Sequence, residues 1–441
     1  MVSLYPHQKR ALYDTDLKTH VAYYHDMGLG KTFTGSEKMM QLGTRINLVI
    51  CQKSKIDDWV DHFKAHYNNV QVIDLTKPAA IGAFLSLGEC SELPYNHYTV
   101  IGVINYELAW RRPELAELKD FTLMLDESSL IQNENSKRSR FILKKLKPKN
   151  VILLSGTPTG GKYEKLWSQL YLLGWNISKK LFYDSFVKYH FEHYLNFPLR
   201  VIDGYKNEER LKRKMRQYGC HFLKTEEVFD LPDQIHQTIK VNTMKEYRKF
   251  RKDSIVEFGG HFIDGDIKRE YVPGTELVGD TTLTKMLYER QLCGQYNKDK
   301  LQAFQDLLES TEDRLIVFYN FTEELEKLCK ITWDNNRPVA VVNGKQKDLL
   351  PYENASDSIT FIQYQAGAMG LNLQKANKIV YFTPPLSSEL FEQSKKRIHR
   401  IGQEKSCFYY YLTCKNSIEE KIYKTLAMRK NYTEALFEEG D

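Results

Sequence analysis

The sequence is poor in several features that would place it in a specialised class. Its seven cysteines (Cys51, Cys90, Cys220, Cys293, Cys329, Cys407 and Cys414) are scattered, and no two form a CxxC pair. An odd, dispersed set excludes a disulfide framework or a zinc site and reads as reduced intracellular thiols. No apolar run approaches the roughly 18 residues a membrane helix needs. At the N-terminus Pro6, His7, Gln8, Lys9 and Arg10 break up any signal-like stretch. Internal repeats and low-complexity tracts are missing too, which excludes a solenoid array and a mostly disordered chain. Strong one-sided charge is also lacking. The 63 Lys and Arg against 57 Asp and Glu leave a net charge of +6, which permits a polyanionic partner if the positive charge is gathered on one face or cleft. The expected setting is the cytoplasm, nucleoid-associated or, for a viral protein, in the host, and the expected state a monomer.

What is present is a length and an alternation. A chain of 441 residues fits about three domains or two large α/β lobes equally well. In the first half, short apolar runs at Asn47–Cys51, Tyr98–Val103, Phe121–Leu125 and Val151–Leu154 read as buried parallel strands. Between them lie amphipathic stretches such as Lys55–Tyr67, with Trp59, Val60 and Phe63 at helical spacing. Strands alternating with helices predict a doubly wound parallel sheet. From 163 to 217 the pattern predicts a helical protrusion on this first lobe. Residues 258–280, rich in Gly and Asp, predict a hairpin or mobile loop. A second alternation begins near Leu283, with strands at Leu315–Tyr319, Val339–Val342, Ile359–Gln363 and Lys378–Phe382 and a helix from Ser388 to His399. The expected fold class is α/β, with two doubly wound parallel-sheet lobes at 1–224 and 225–441. The second carries an insertion at about 240–300 and a C-terminal helix.

Four segments carry chemistry. His25-Asp26-Met27-Gly28-Leu29-Gly30-Lys31-Thr32 follows an apolar stretch and precedes a helix-compatible run. Glycines let backbone N–H groups close around phosphate oxygens, and a following helix N-terminus adds its dipole. Lys31 would neutralise β- and γ-phosphates, and the Thr32 hydroxyl would bind Mg²⁺. His25 stands where the strict phosphate-loop pattern has its first glycine. Next, Leu123-Met124-Leu125-Asp126-Glu127 delivers two carboxylates at a strand's C-terminal end, the ligand-binding edge of such sheets. Asp126 is placed to hold Mg²⁺ and Glu127 to deprotonate water. A common solvated acidic pair would look the same in isolation. Third, Ser155-Gly156-Thr157-Pro158 puts small hydroxyls at another strand end, as a plain turn also would. Fourth, in Gln393 to Gln403, Arg397 and Arg400 are three apart and so share a helix face, able to stabilise transferring phosphate. The blander alternative is a basic surface helix.

In this order the segments resemble the Swi/Snf family of DNA-dependent ATPases within helicase superfamily two, from Tyr5 to about Arg429. Tyr5-Pro6-His7-Gln8 looks like its adenine-reading motif, with Gln8 the reader. Asp26 to Thr32 matches motif I, whose usual form also lacks the first glycine. Gln52-Lys53-Ser54 before Trp59 is similar to motif Ia, and Asn105-Tyr106-Glu107 sits where the family has a Ser-Tyr pair. Asp126-Glu127 matches motif II and Ser155 to Pro158 motif III. Phe222 to Pro232 resembles the basic stretch between lobes, without its paired arginines. Ile316-Val317-Phe318 fits motif IV, Gln365-Ala366-Gly367-Ala368-Met369-Gly370-Leu371-Asn372-Leu373 motif V, and Gln393 to Gln403 motif VI. The resemblance implies two RecA-like lobes, ATP and Mg²⁺ as cofactors, and translocation along duplex DNA. It implies nucleotide contacts from Gln8, Met27, Gly28, Leu29, Gly30, Lys31, Thr32, Gly370 and Gln393, and catalysis by Lys31, Glu127, Arg397 and Arg400. Nucleic-acid contacts would come from Lys53, Ser54, Thr157, Gln365 and Ala366.

One departure touches coupling. The family's Asp-Glu-x-His becomes Asp126-Glu127-Ser128-Ser129, which leaves the metal and water chemistry in place but removes a histidine linked to nucleic-acid contact. No histone-reading segment is recognisable, so a compact translocase of bacterial or viral kind is expected and not a chromatin remodeller. The rival readings are a strand-separating DNA or RNA helicase and a non-catalytic DNA-binding scaffold with a degenerate nucleotide site.

Overall fold

The computed structural model describes residues 3–89, 98–194, 197–258, 261–264, 269–272, 274–333, 335–367 and 371–437. The chain divides into two compact units, residues 1–230 with 429–441, and residues 231–428.

In the first unit, five strands are buried along most of their length, β1 (His20–His25), β2 (Ile46–Cys51), β4 (Thr99–Asn105), β5 (Thr122–Asp126) and β6 (Asn150–Ser155), while β3 (Val70–Asp74) at the sheet edge is only partly buried. Together with β9 (Cys220–Leu223) they form one parallel sheet in the order β3-β4-β2-β5-β6-β1-β9. Runs such as Leu48-Val49-Ile50 and Leu123-Met124-Leu125 are apolar on both faces because helices cover both. Leu48, Leu123 and Leu153 face one core, and Val49, Met124 and Ile152 the other. Crossover helices Lys31–Leu42 and Ile56–His66 contribute Met39, Trp59 and Phe63 to the second of these.

The stretch expected to be a helical protrusion is only partly helical. After the helix Lys179–Phe186 comes an antiparallel hairpin, β7 (Val187–Tyr194) with β8 (Phe197–Tyr205). Its aromatic and β-branched residues alternate with polar ones, a strand period. The pairing is reinforced by Arg200, whose guanidinium lies 4.5 Å from the Tyr189 ring centre, and by His190 against Asp203 at 2.8 Å.

The second unit repeats the plan. Its sheet runs β10 (Gln234–Val241), β20 (Cys407–Cys414), β19 (Lys378–Tyr381), β15 (Leu315–Tyr319), β18 (Ile359–Gln363), β16 (Val339–Val342) and β17 (Lys347–Asp348). All pairings are parallel except β16 with β17. The Gly- and Asp-rich insertion contains two antiparallel pairs, β11 (Ile255–Phe258) with β14 (Thr275–Val278) and β12 (His261–Asp264) with β13 (Arg269–Val272). The fold class is therefore two parallel-sheet α/β lobes. Among the described residues no helix is long and apolar enough to cross a membrane.

Candidate nucleotide site and the arginine turn of the second unit

The order β5-β6-β1 sets three strand ends side by side. Leu154 pairs with Asp126 on one side of β6, and Ser155 with Tyr24 on the other. The loop after β1, the carboxylates ending β5 and the turn after β6 therefore meet at the C-terminal edge of one sheet, where parallel sheets bind ligands.

The loop is built on two left-handed glycines, Gly28 (φ +92°) and Gly30 (φ +69°), which side-chain-bearing residues adopt only with strain. Gly30 is also held by contact, since a Cβ there would lie 2.2 Å from the Gln8 amide nitrogen. Gln8 is buried, donates to the carbonyls of Gly30 (3.1 Å) and Leu29 (3.4 Å), and accepts from the Tyr5 N–H (2.8 Å). His7 reaches the Leu29 carbonyl at 3.0 Å. Gln8, expected to read adenine, thus clamps the glycine loop, and Leu29 packs into the interior. The helix from Lys31 begins directly after Gly30, so its first N–H groups point into the loop with no intrahelical acceptor. Lys31 Nζ donates to the carbonyls of His25 (2.9 Å) and Asp26 (3.0 Å). Asp26 in turn accepts from the Thr225 N–H at 3.2 Å. His25, where a glycine is usual, is fully buried. Its ring meets His221 at 2.9 Å, and burial first, then His221, holds its basicity well below the ordinary range.

The carboxylates are positioned from both sides. Asp126 Oδ2 accepts from the Trp59 indole N–H at 2.9 Å, and its carbonyl accepts from the Tyr106 hydroxyl at 2.9 Å. Burial pushes its carboxyl upward, opposed by the Trp59 hydrogen bond and by Lys31. Glu127 has a left-handed backbone, φ +52°, unusual for a residue with a long side chain. That turn aims Oε2 at the Ser155 hydroxyl, 3.3 Å away. Ser155 Oγ also accepts from the Thr157 N–H, and the Thr157 hydroxyl is buried with no hydrogen-bond partner among the described residues. A Cβ at Gly156 would come within 3.2 Å of Met27 Cγ and 3.4 Å of Lys31 Nζ, so the bare glycine keeps this turn against the loop. The chemistry of the set suits a Mg²⁺-nucleotide: a cation, a glycine loop of N–H groups, a hydroxyl at Thr32, and two carboxylates of which one already faces a small hydroxyl.

Trp59 and Tyr106 as supports of Asp126 were not legible as such in the sequence, although both lie in segments that stood out. The serines after Glu127 also acquire a structural role. Ser128 Oγ donates to Gln169 Oε1 (2.7 Å), which also accepts from Tyr24 (3.0 Å), while Gln169 Nε2 donates to the Pro158 carbonyl (2.7 Å). Ser128 thereby ties the carboxylate turn to the Ser155–Pro158 turn. Lys53 and Ser54 are exposed on the short helical turn Lys53–Lys55 that follows β2.

In the second unit, the helix expected to reach His399 stops at Lys395. Arg397 and Arg400 therefore do not share a helix face. The Lys395 carbonyl accepts from the Tyr409 hydroxyl (3.1 Å) and the Arg397 carbonyl from the Leu373 N–H (3.2 Å), in place of helical N–H donors. Gln403 pins the turn, its amide donating to the carbonyls of Gln374 (3.1 Å), Ala376 (2.9 Å) and Ile398 (3.2 Å). Arg397 is buried. Arg400 is half-buried and hydrogen-bonds the Asn372 side chain, and burial lowers its basicity. Gln393 is buried beside Glu389. Of the expected nucleic-acid pair, Gln365 is exposed, but Ala366 is buried in the unit's core because the short helix Tyr364–Gly367 turns it inward. Gly370 lies outside the described residues.

Residues 22–298 match the SNF2-related domain and residues 299–402 the helicase conserved C-terminal domain. The chain is 23% identical to an uncharacterized ATP-dependent helicase of Mycoplasma genitalium, over 90% of this chain and 38% of that protein. It is 23% identical to a SWI/SNF chromatin-remodeling complex subunit of Schizosaccharomyces pombe, over 93% and 26%. To a DNA repair and recombination protein of Saccharomyces cerevisiae it is 26% identical, over 70% and 31%. The chain thus spans less than half the length of these relatives. A solved SWI2/SNF2 ATPase core of Sulfolobus solfataricus, in complex with double-stranded DNA, matches over 98% of this chain and 92% of that one, at 20% identity and a TM-score of 0.42.

Proposed function

The chain belongs to the SNF2-related family, and on that footing we propose that it hydrolyses ATP with Mg²⁺ and couples the cycle to translocation along double-stranded DNA. The observation that carries this reading is the meeting of the Gly28–Lys31 loop, Asp126 and Glu127 at adjacent strand ends of one parallel sheet. Lys31 and the loop N–H groups would bind the β- and γ-phosphates, with Gly28, Leu29 and Met27 shaping the cradle and Gln8 holding it beside the base. Thr32 and Asp126 would hold Mg²⁺, which supplies charge neutralisation at the transferring phosphoryl group. Glu127 would orient water and take its proton, restrained by Ser155. Arg397 and Arg400 would stabilise the developing charge, with Gln393 and Gly370 completing the nucleotide contacts. Lys53, Ser54, Thr157 and Gln365 would meet the nucleic-acid backbone, giving salt-sensitive binding with little sequence preference.

The test is ATP turnover of the wild type and of Lys31→Ala, each alone and with duplex DNA, single-stranded DNA or RNA, followed by displacement of a third strand from a triplex. Stimulation by duplex DNA with strand displacement, both lost in Lys31→Ala, is expected. Wild-type turnover that no nucleic acid raises, or that Lys31→Ala retains, overturns the assignment. Stimulation by single strands alone would point to strand separation.

A further inference from the structure

At the C-terminal ends of β10 and β20, lined by none of the residues expected to meet nucleic acid, the second unit has a cleft of about 560 Å³. Val241 pairs with Cys414 at the last rung of the two strands. Beyond it, Asn242 and Thr243 lead into the helix Lys245–Asp253, and Lys415 and Asn416 lead into the helix that starts at Ile418. The first helix packs Tyr247 and Phe250 into the core. Its spacing then sets Arg248, Arg251 and Lys252 as a stripe at i, i+3 and i+4 along the cleft. Lys415 faces them from the other wall.

These four cations are exposed, and none has an ion-pair partner among the described residues. Three of them are held by neutral acceptors instead. Arg251 Nη1 donates to the Asn416 carbonyl (3.1 Å), Arg248 Nη2 to the Thr243 carbonyl (3.5 Å) and Lys415 Nζ to Asn242 Oδ1 (3.3 Å). Each head group keeps further N–H donors for a ligand. The acidic groups nearby are turned to other partners: Glu420 accepts from Lys240 and from the Asn416 N–H, both at 3.0 Å, and Glu289 from the Tyr247 hydroxyl at 3.4 Å. No carboxylate lines the cleft. Asn416 itself has a left-handed backbone, φ +54°, which turns the chain between β20 and the next helix at the cleft wall.

We propose that this cleft binds the phosphodiester backbone of duplex DNA as a contact site separate from Lys53, Ser54, Thr157 and Gln365. The proposal rests on the DNA-translocase reading. Two guanidinium forks among amide side chains suit the geometry of phosphate oxygens. A cleft this size, open at an exposed rim, suits a backbone running through it better than a single small anion. Tyr247 and the stems of the basic side chains are its apolar surface, and with no Leu, Ile, Val or Met in the lining it has no pocket for the side chains of an acidic peptide.

The experiment measures binding of a short labelled duplex to the full chain without nucleotide, across a range of salt. It compares the wild type, the double variant Arg251→Ala/Lys415→Ala, and Lys249→Ala, which removes an exposed charge from the same helix outside the cleft. The double variant should bind about tenfold more weakly and flatten the slope of log affinity against log salt by about 2, one for each lost phosphate contact. Lys249→Ala should change affinity less than about twofold, and turnover without DNA should be the same in all three. Wild-type affinity and slope in the double variant, alongside normal duplex stimulation, would overturn the inference and leave the translocase reading standing. A wild type that neither binds nor responds to duplex would overturn both. Tripolyphosphate as a second probe separates the sources: if the double variant loses tripolyphosphate binding but keeps the duplex, the site takes free phosphate compounds and the inference fails.

Discussion

Two lysines, one in each unit, are held in different ways. In the second, Lys300 and Glu419 are both fully buried and meet at 2.6 Å, and Glu419 also accepts from the Cys414 N–H. Nearby Glu324 accepts from the N–H groups of Asn320 and Phe321 and from Thr383. Lys300 and Glu419 match each other in the interior, while Glu324 meets only neutral donors. In the first unit, Lys31 is tied to backbone carbonyls at a glycine loop, and Asp126 to one indole N–H and its neighbour. A lysine that trades carbonyl oxygens for phosphate oxygens on binding loses little, whereas a lysine paired to a buried carboxylate has nothing to gain. The same residue type meets a buried carboxylate in one place and backbone carbonyls beside a glycine loop in the other, as the proposed phosphate-binding role of Lys31 requires.

The largest expected effects would test whether both units serve one reaction. Arg400→Ala should lower duplex-stimulated turnover by about 10³-fold or more, as loss of a transition-state arginine does. Lys31→Ala should lower it by about 10²–10³-fold. If Arg400→Ala kept near-normal turnover while Lys31→Ala did not, the reaction would belong to the first unit alone. Next in size is stability. Lys300→Met should cost about 3–5 kcal/mol in chemical denaturation, because it strands Glu419 in the interior. Lys31→Met should cost less than about 1 kcal/mol. Equal losses would erase the distinction between scaffold and site.

The smallest effects concern acid. Burial lowers His62, in the first unit, from 6.5 to about 4. Its unfolded form therefore binds a proton that the folded form refuses, and stability falls as pH drops through that window. Burial raises Glu324, in the second unit, from 4.5 to about 7. There the folded form holds the extra proton, so this group's contribution is present below pH 4.5 and is lost as pH rises toward 7. Amide exchange resolved by unit, from pH 7.5 to 5, should show His62→Gln blunting the acid loss in the first unit. Glu324→Gln should flatten the opposite trend in the second. Identical slopes in wild type and variants would remove these groups from the account.

Much of this was legible in the sequence because parallel strands buried on both faces write themselves as apolar runs. Leu315–Tyr319 and Ile359–Gln363 hold as strands residue for residue. The loop glycines and the carboxylates at the end of β5 were legible for the same reason, since local spacing fixes them. What escaped depends on partners distant along the chain. The helix before Arg397 ends at Lys395, whose carbonyl accepts from the Tyr409 hydroxyl, and the turn beyond it is held by the Leu373 N–H on the Arg397 carbonyl. Periodicity alone would carry it on to His399. The aromatic stretch before Phe197 pairs as a hairpin because Arg200 stacks across it from the opposite strand. The support of Asp126 by Trp59 spans 67 positions, beyond the reach of local pattern.

That last contact has an optical consequence. Trp59 is one of five tryptophans, is 3% exposed, and shares its only N–H with the carboxylate proposed to hold Mg²⁺. A carboxylate that takes up Mg²⁺ alters the electric field at an indole donating to it, so Trp59 would report on the proposed ion. Titrating Mg²⁺ with a non-hydrolysable nucleotide should change the intrinsic fluorescence of the wild type and leave that of Trp59→Phe nearly constant. The occupancy of the site could then be followed in real time without a label.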